Sequence, residues 1–452
     1  MSDCIIVMSR YPVPGLAKTR LIPAIGAMRA AALHERMVRH TLNTVDEFRR
    51  SRSVDACVCY TGGTAEQMRE RFGSHFRYEK QSEGDLGHRM HRAIIQAIQS
   101  GATRVVVIGT DCPSLNTSFI ELAFDRLMDA DLVWGPARDG GYYLLGCRRV
   151  HEVIFNDIHW GTAGVLSQSI RSAESAGLIS ARLPALSDVD FAEDLVSCRR
   201  LFVDASDVFP PCIQDRLSVI IPTLNEESCL PRTLKQFSSL PDDSSLEVIV
   251  ADGGSCDKTI SIAESFGARV VSCNSGRGPQ LNSGACISTG EWLLFLHADT
   301  LLPPDYRSQI EQLLAEVPSV NPADRQSQRF IRAGAFRLRI DAEGWIYRII
   351  EAGANLRSRW RQMPYGDQAF FIRSGDFFDV GGFQNWPLME DFEFSQRIRR
   401  CGRFALASGS VRTSARRWQK KGVVRTTIRN QLTALAFRLG ASPEFLADRY
   451  RR

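Results

Sequence analysis

The residues with most capacity for chemistry sit in polar loops that follow short apolar runs. In the second half of the chain these are Pro222-Thr223-Leu224-Asn225-Glu226-Glu227, Asp252-Gly253-Gly254-Ser255-Cys256-Asp257 and His297-Ala298-Asp299-Thr300. Gathered at one sheet edge, they would form a pocket for a polar, phosphate-bearing ligand. Asp252 can accept a hydrogen bond from a base ring, and Gly253 and Gly254 let the backbone come close. Asp-Gly-Gly-Ser is equally a good turn sequence. In the first half, Pro12-Val13-Pro14-Gly15-Leu16-Ala17-Lys18-Thr19-Arg20 is a glycine loop whose Lys18 and Arg20 suit a phosphate clamp. It lacks the GxxxxGK[ST] spacing of a P-loop. Asp111 in Gly109-Thr110-Asp111-Cys112-Pro113 and Asp139 in Arg138-Asp139-Gly140-Gly141 both follow predicted strands. Two carboxylates could flank one cation there, although each alone also reads as a strand-terminal turn. A last acidic pair, Glu390-Asp391, precedes the amphipathic stretch Phe392–Arg400. A carboxylate there is either a base for a reacting hydroxyl or a helix N-terminal residue favoured by the dipole.

The elements that must position these loops start alike in both halves. Cys4–Met8 and Leu217–Ile221 are apolar, β-branched runs that read as first strands of buried parallel sheets. Asp55–Tyr60 and Glu247–Ala251 read as second strands, Arg104–Ile108 and Glu291–Leu296 as later ones, with Met28–Phe48 and Leu230–Leu240 amphipathic enough to cover a sheet. Strands alternating with helical stretches predict two doubly wound α/β units. The break falls in Asp204–Asp215, where Pro210 and Pro211 favour an extended spacer. The expected organisation is a domain over residues 1–206, a linker over 207–216 and a domain over 217–452. Val317–Gln328, polar and proline-containing, reads as an excursion within the second domain.

With 452 residues, 44% hydrophobic and 24% charged, the chain has material for two buried cores. Its twelve cysteines show no CxxC spacing, and Cys57 and Cys59 are expected on one face of a strand as reduced thiols. No basic-then-apolar leader opens the sequence, and no run reaches the length of a membrane span, so a cytoplasmic protein is expected. The net charge of +5 is concentrated at the end: fifteen Lys or Arg against Glu444 and Asp448 from Arg397 to Arg452. Within that region Val424, Ile428, Leu432, Leu435 and Leu439 share one helical face flanked by Arg425 and Arg429. That helix either packs on its own domain or partner, or makes a peripheral membrane contact. Nucleic acid is not an expected partner, because aromatic residues are not interleaved with the basic ones for base stacking.

SVIIPTLNEE, IVADGGSCDKT, LLFLHADT and MEDFEFSQRIRRCG, in that order, resemble the motifs of family 2 glycosyltransferases, inverting enzymes of the GT-A fold. The likeness spans roughly Leu217–Leu406, and the order GDQ, GGF, ED resembles the branch that includes carotenoid and arsenosugar-type transferases. The resemblance implies that Pro222, Asn225, Glu226, Asp252 and Gly253 hold a nucleotide-sugar donor. It implies that the family's metal-binding Asp-x-Asp is here His297-Ala298-Asp299, its first carboxylate replaced. A diphosphate-bridging Mg²⁺ or Mn²⁺ needs few protein ligands; His297 either ligates, favouring Mn²⁺, or only positions. Arg277 falls where the family often keeps a basic residue near the donor, Asp367 is a sugar-contact candidate, and Asp391 of the Glu390-Asp391 pair is the implied base. The acceptor would be a small-molecule or lipid hydroxyl. Arg416-Arg417-Trp418 loosely resembles a basic-aromatic element of processive relatives. The first-half loops, with Asp188-Val189-Asp190, resemble nucleotidyltransferase-like GT-A domains of the DUF2064 type over nearly Cys4–Arg200. Two Rossmann-like GT-A domains in tandem are therefore expected. The first would be a further transferase, a nucleotidyltransferase with Lys18, Arg20, Asp111, Asp139 and Gly140 in its site, or a non-catalytic acceptor-binding module.

Overall fold

A computed structural model describes residues 2–149, 151–202, 205–237, 245–315 and 331–451. The excursion expected over Val317–Gln328 lies outside the described residues, as does the end of the Leu230–Leu240 stretch. The described residues form two compact units, Met1–Asp190 and Phe191–Arg452.

The first unit is built on a seven-stranded sheet. In spatial order its strands are Arg77–Lys80, Val54–Thr61, Ser2–Arg10, Ala102–Ile108, Tyr142–Cys147, Leu132–Pro136 and Ser180–Arg182. Tyr142–Cys147 runs antiparallel to both neighbours, and the other pairings are parallel. Strand alternation explains why helices cover both faces. Ile5, Val7, Val58 and Val106 pack with Val38, Leu42 and Val45 of the helix Ala27–Ser51 on one side. Cys4, Ile6, Cys57 and Val105 pack with Met90, Ile94 and Ile170 on the other. Cys57 and Cys59 do share a face, and every cysteine is free.

The second unit carries an eight-stranded sheet in the order Arg269–Ser272, Leu246–Asp252, Ile213–Thr223, Gly290–Phe295, Phe370–Arg373, Ile331–Asp341, Arg403–Ser414 and Thr300–Leu301. Its first seven positions repeat the first unit's topology, again with the fifth strand antiparallel to its neighbours. Both units are thus mixed, mainly parallel α/β sheets flanked by helices, as the tandem reading required.

Contacts and composition divide the chain differently. Residues 191–202 and 205–206, assigned by sequence to the first domain, group with the second unit. Glu193, 5% exposed, accepts hydrogen bonds from Asn274 Nδ2 at 2.7 Å and Ser283 Oγ at 3.4 Å. Arg199 lies over the Phe378 ring at 4.4 Å. The proline pair at 210–211 thus lies inside the second unit, just before its central strand.

Candidate active site

In the second unit the site grows from the carboxyl ends of the central strands, the ordinary place for a ligand in an open α/β sheet. The two loops after Thr223 and Asp252 are stitched together. Asn225, at φ 55°, donates its backbone N–H to Ser255 Oγ and accepts from the Cys256 N–H, both at 2.8 Å. The Glu226 N–H donates to Thr259 Oγ1 at 2.8 Å. Gln280 Nε2 donates to the carbonyls of Thr223 at 2.6 Å and Ala251 at 2.9 Å, clamping the two strand ends. A Cβ on Gly253 would stand 3.1 Å from that amide, which accounts for glycine there. Pro222 is part-buried and pairs in register with Ala251.

Asp252 differs from the sequence reading. Its carboxylate is fully buried and takes four donors: Thr223 Oγ1 and Ser255 Oγ on one oxygen, the N–H groups of Gly254 and Ser255 on the other. That fills the acceptor capacity of a carboxylate, so Asp252 organises the turn and has no lone pair free for a base ring.

Across the site, the loop Tyr365-Gly366-Asp367-Gln368 meets the helix Glu390–Cys401. Met389, at φ 72°, caps that helix in the left-handed region, at a cost of about 1–2 kcal/mol, and sets Glu390 and Asp391 in its first turn. Asp391 Oδ2 accepts the Gly366 N–H at 2.8 Å. A Cβ on Gly366 would lie 3.2 Å from His297 Nε2 and 3.3 Å from Asp391 Oδ2, so histidine and aspartate crowd the same glycine. Gln368, wholly buried, pins this loop: it donates to the Phe336 carbonyl at 3.0 Å and accepts from Ser358 Oγ at 2.6 Å.

Arg277 opens the buried helix Arg277–Ile287, whose start abuts the segment before Glu390; a Cβ on Gly278 would clash with the Gln384 carbonyl at 2.2 Å. Desolvation works against the charge of Arg277, yet Glu390, Asp391, Asp299 and Asp367 hold its guanidinium above the usual value. Five of the sequence-selected residues therefore share one electrostatic cluster. Burial, then the neighbouring Asp391, pushes Glu390 up to about 7. Burial pushes Asp367 up to about 6, with Asp391 adding and Arg357 and Arg277 opposing. Burial also raises Asp299, against Arg416 and Arg277.

Asp299 and Asp367 offer the hard oxygen donors a divalent cation takes, and the buried Asp367 Oδ1 has no hydrogen-bond partner; among the described residues, no three ligand atoms of this site's carboxylates and His297 lie within 4.8 Å of one another. Arg416 was noticed in sequence only as part of a short basic-aromatic stretch. Its Nη2 lies 2.9 Å from Glu226 Oε2 and 4.0 Å from Asp299 Oδ2, bridging the nucleotide loop to the metal-type aspartate. Gln280 carried no local signal, and Gln368 and Arg416 stood out only as members of the GDQ order and the basic-aromatic stretch, because each acts on partners distant in sequence.

The first unit has its own acidic cluster. Lys18, at φ 48° and with a 6% exposed side chain, places Nζ 2.7 Å from Asp111, 3.1 Å from Asp190 and 2.7 Å from the Val189 carbonyl. All three ammonium donors are thereby used, so Lys18 ties carboxylates together where a phosphate clamp was expected. Arg20 bonds Asp190 at 2.8 Å and remains more than half exposed. Desolvation opposes ionisation of Asp111, and Lys18 nonetheless holds it below the usual carboxylate range. Burial, then Asp139 and Asp190, pushes Asp188 up to about 6. Asp139 itself accepts the Gly141 N–H at 2.8 Å. Gly140, at φ 93°, has the Ala163 carbonyl 2.1 Å from where a Cβ would sit.

Comparison with known proteins agrees with this division. Residues 218–378 match the model described as glycosyl transferase family 2, and residues 44–162 match that of an uncharacterized protein conserved in bacteria, DUF2064. A PGL/p-HBAD biosynthesis glycosyltransferase of Mycobacterium bovis is 29% identical over 196 residues, 40% of this chain and 68% of its own. An uncharacterized glycosyltransferase of Haemophilus influenzae is 32% identical over 110 residues, 23% of this chain and 36% of its own. A solved structure from Desulfovibrio desulfuricans G20, described as a nucleotide-diphospho-sugar transferase, is 33% identical, covering 46% of this chain and 90% of that one at a TM-score of 0.42. The protein is a glycosyltransferase, similar over residues 218–378 to glycosyl transferase family 2 and over residues 44–162 to DUF2064.

Proposed function

We propose that the second unit transfers a sugar, with inversion, from a nucleoside-diphosphate donor to a small-molecule or lipid hydroxyl. The observation that carries this reading is the crowding of His297 and Asp391 around Gly366, with Arg277 held by Asp299, Asp367, Glu390 and Asp391 together. The Asn225–Ser255 loops receive the nucleotide. Arg277 and Arg416 face the diphosphate, and Asp299, with His297 beside it, would hold Mg²⁺ or Mn²⁺, which supplies positive charge against the departing nucleoside diphosphate. Asp391, at the positive end of its helix, takes the proton of the acceptor hydroxyl as that oxygen attacks from the side opposite the leaving group. Asp367, with an unpaired carboxylate oxygen, accepts from a sugar hydroxyl. Glu390, buried and raised to about 7, stays largely protonated below neutrality.

Release of nucleoside diphosphate by the full-length protein, screened over donors with Mg²⁺ and Mn²⁺, tests this. Asp391→Asn should lower the transfer rate by about 10²–10⁴-fold with donor binding nearly unchanged, and Asp299→Ala should weaken metal-dependent donor binding. Loss of donor binding in Asp391→Asn with an unaltered chemical step would reassign that residue.

For the first unit, the grouping of Lys18, Arg20, Asp111, Asp188 and Asp190 favours a catalytic role over a scaffold. Pyrophosphate release from a nucleoside triphosphate would assign it as a nucleotidyltransferase feeding the second unit; nucleoside diphosphate release from it would assign a further transferase. We further propose that the Val423–Arg438 helix, basic and apolar, makes peripheral membrane contact.

A further inference from the structure

We infer that the helix Trp345–Arg361 is the principal docking element for an anionic bilayer surface, with the Val423–Arg438 helix beside it. Trp345 and Trp360 stand at its two ends and are 75% and 78% exposed; Ile349 and Leu356, between them on the same face, are 60% and 57% exposed. The spacing 345, 349, 356, 360 is one stripe of an α-helix. Four large apolar groups in water along seventeen residues oppose the burial that otherwise stabilises such a helix, so the face is built for an occupant.

The charges identify that occupant. Arg348, Arg359 and Arg361 are exposed on the same helix, and its single acid, Glu351, is buried and bonded to Arg348 at 2.9 Å and to the Ile340 N–H at 2.6 Å. Glu343, just before the helix, is exposed; within Trp345–Arg361 every exposed charge is positive. Indole rings at both ends with arginines alongside match the boundary between headgroups and acyl chains, where an apolar ring body and a polar edge are both accommodated. Val424, Ile428, Leu432, Leu435 and Leu439 add a second exposed stripe, on a helix without any acid. The two helices share one small core, where Tyr347, Ile346 and Ile350 meet Val423 with Ala415 and Trp418; just beyond the first helix, Met363 packs with Ala434 and Phe437 of the second.

The docked helix also reaches the site. Arg357 lies 3.5 Å over the Tyr365 ring, and Ser358 bonds Gln368, the residue that pins Gly366. Docking itself does not depend on the transfer reaction proposed above, and binding measured without donor keeps the two apart.

The test is co-sedimentation of the full-length protein with phosphatidylcholine vesicles and with vesicles enriched in phosphatidylglycerol. The expected result is binding to the anionic vesicles only, weakened at least tenfold in Trp345→Ser/Trp360→Ser and in Arg359→Glu/Arg361→Glu, with unchanged melting temperatures. Brominated acyl chains should quench wild-type tryptophan fluorescence more than that of the double tryptophan variant. Absence of vesicle binding, or binding indifferent to both variants, overturns the inference. A wild-type dimer in sedimentation velocity that becomes monomeric in the tryptophan variant, without vesicle binding, would give the face to a second copy of the chain.

Discussion

At the scale of single residues, the second unit shifts the titration of a buried carboxyl group. Glu390 is buried beside Asp391, and its pKa of about 7 compares with 4.5 for an ordinary glutamate. The native state then binds more protons than the unfolded chain between those two values. The stability this gives is full below pH 4.5 and is lost as pH rises through 7. Glu390→Gln has no such dependence, so in denaturant unfolding the variant should gain on the wild type by roughly 2 kcal/mol from pH 5 to pH 8. Asp367, raised to about 6, is common to both proteins and cancels in the comparison. Parallel pH profiles would mean that Glu390 is ionised in the folded protein. Asp391, Asp299 and Arg277 were legible in sequence because each lies in a contiguous stretch next to an element end. Asp252 was legible as a turn residue, but its use was not: only the fold brings the Thr223 and Ser255 hydroxyls onto one of its oxygens. Lys18 shows the same limit, since its partners Asp111 and Asp190 are far along the chain.

At the scale of elements, the site is as good as the parts that hold its loops. Gln368 joins the loop Gly366–Gln368, the helix Trp345–Arg361 and the strand Ile331–Asp341 through Ser358, Arg357 and the Phe336 carbonyl. Replacing it with leucine keeps much of the volume and leaves that carbonyl and the Ser358 hydroxyl without this partner, at a cost of roughly 1–3 kcal/mol. Because Gly366 donates to Asp391, the loosened loop should lower kcat by tenfold or more while donor KM changes little, a split that steady-state kinetics over donor concentration would reveal. Equal changes in both, or a rise in KM alone, would confine Gln368 to holding the fold. Periodicity and strand-end position predicted three strands of each sheet and the amphipathic helices, since these depend on residues a few positions apart. Gln368 stood out only as the last residue of the GDQ order, and nothing local shows which partners it pins.

At the scale of the whole chain, the two halves that begin alike in sequence do carry the same order over seven strands, with the fifth antiparallel in each; the second sheet adds an eighth strand, Thr300–Leu301, antiparallel to Arg403–Ser414. What the sequence misplaced was the seam. Proline and polar residues at 204–215 look like a spacer, yet Leu195 and Cys198 are fully buried within the second unit, and Glu193 bonds Asn274 and Ser283 beneath the helix that begins at Arg277. Cutting at Leu217 would therefore uncover an apolar face, leave Asn274 without its carboxylate and shorten the central strand that starts at Ile213. Cutting at Phe191 would follow the contact boundary. Expressed as fragments, Phe191–Arg452 should unfold cooperatively and retain donor-dependent nucleoside diphosphate release. Leu217–Arg452 should be poorly soluble or melt at a clearly lower temperature, since removal of several fully buried side chains costs roughly 2–5 kcal/mol each. The comparison needs only thermal denaturation of the two fragments. Equal melting temperatures would show that residues 191–216 are dispensable to the second unit.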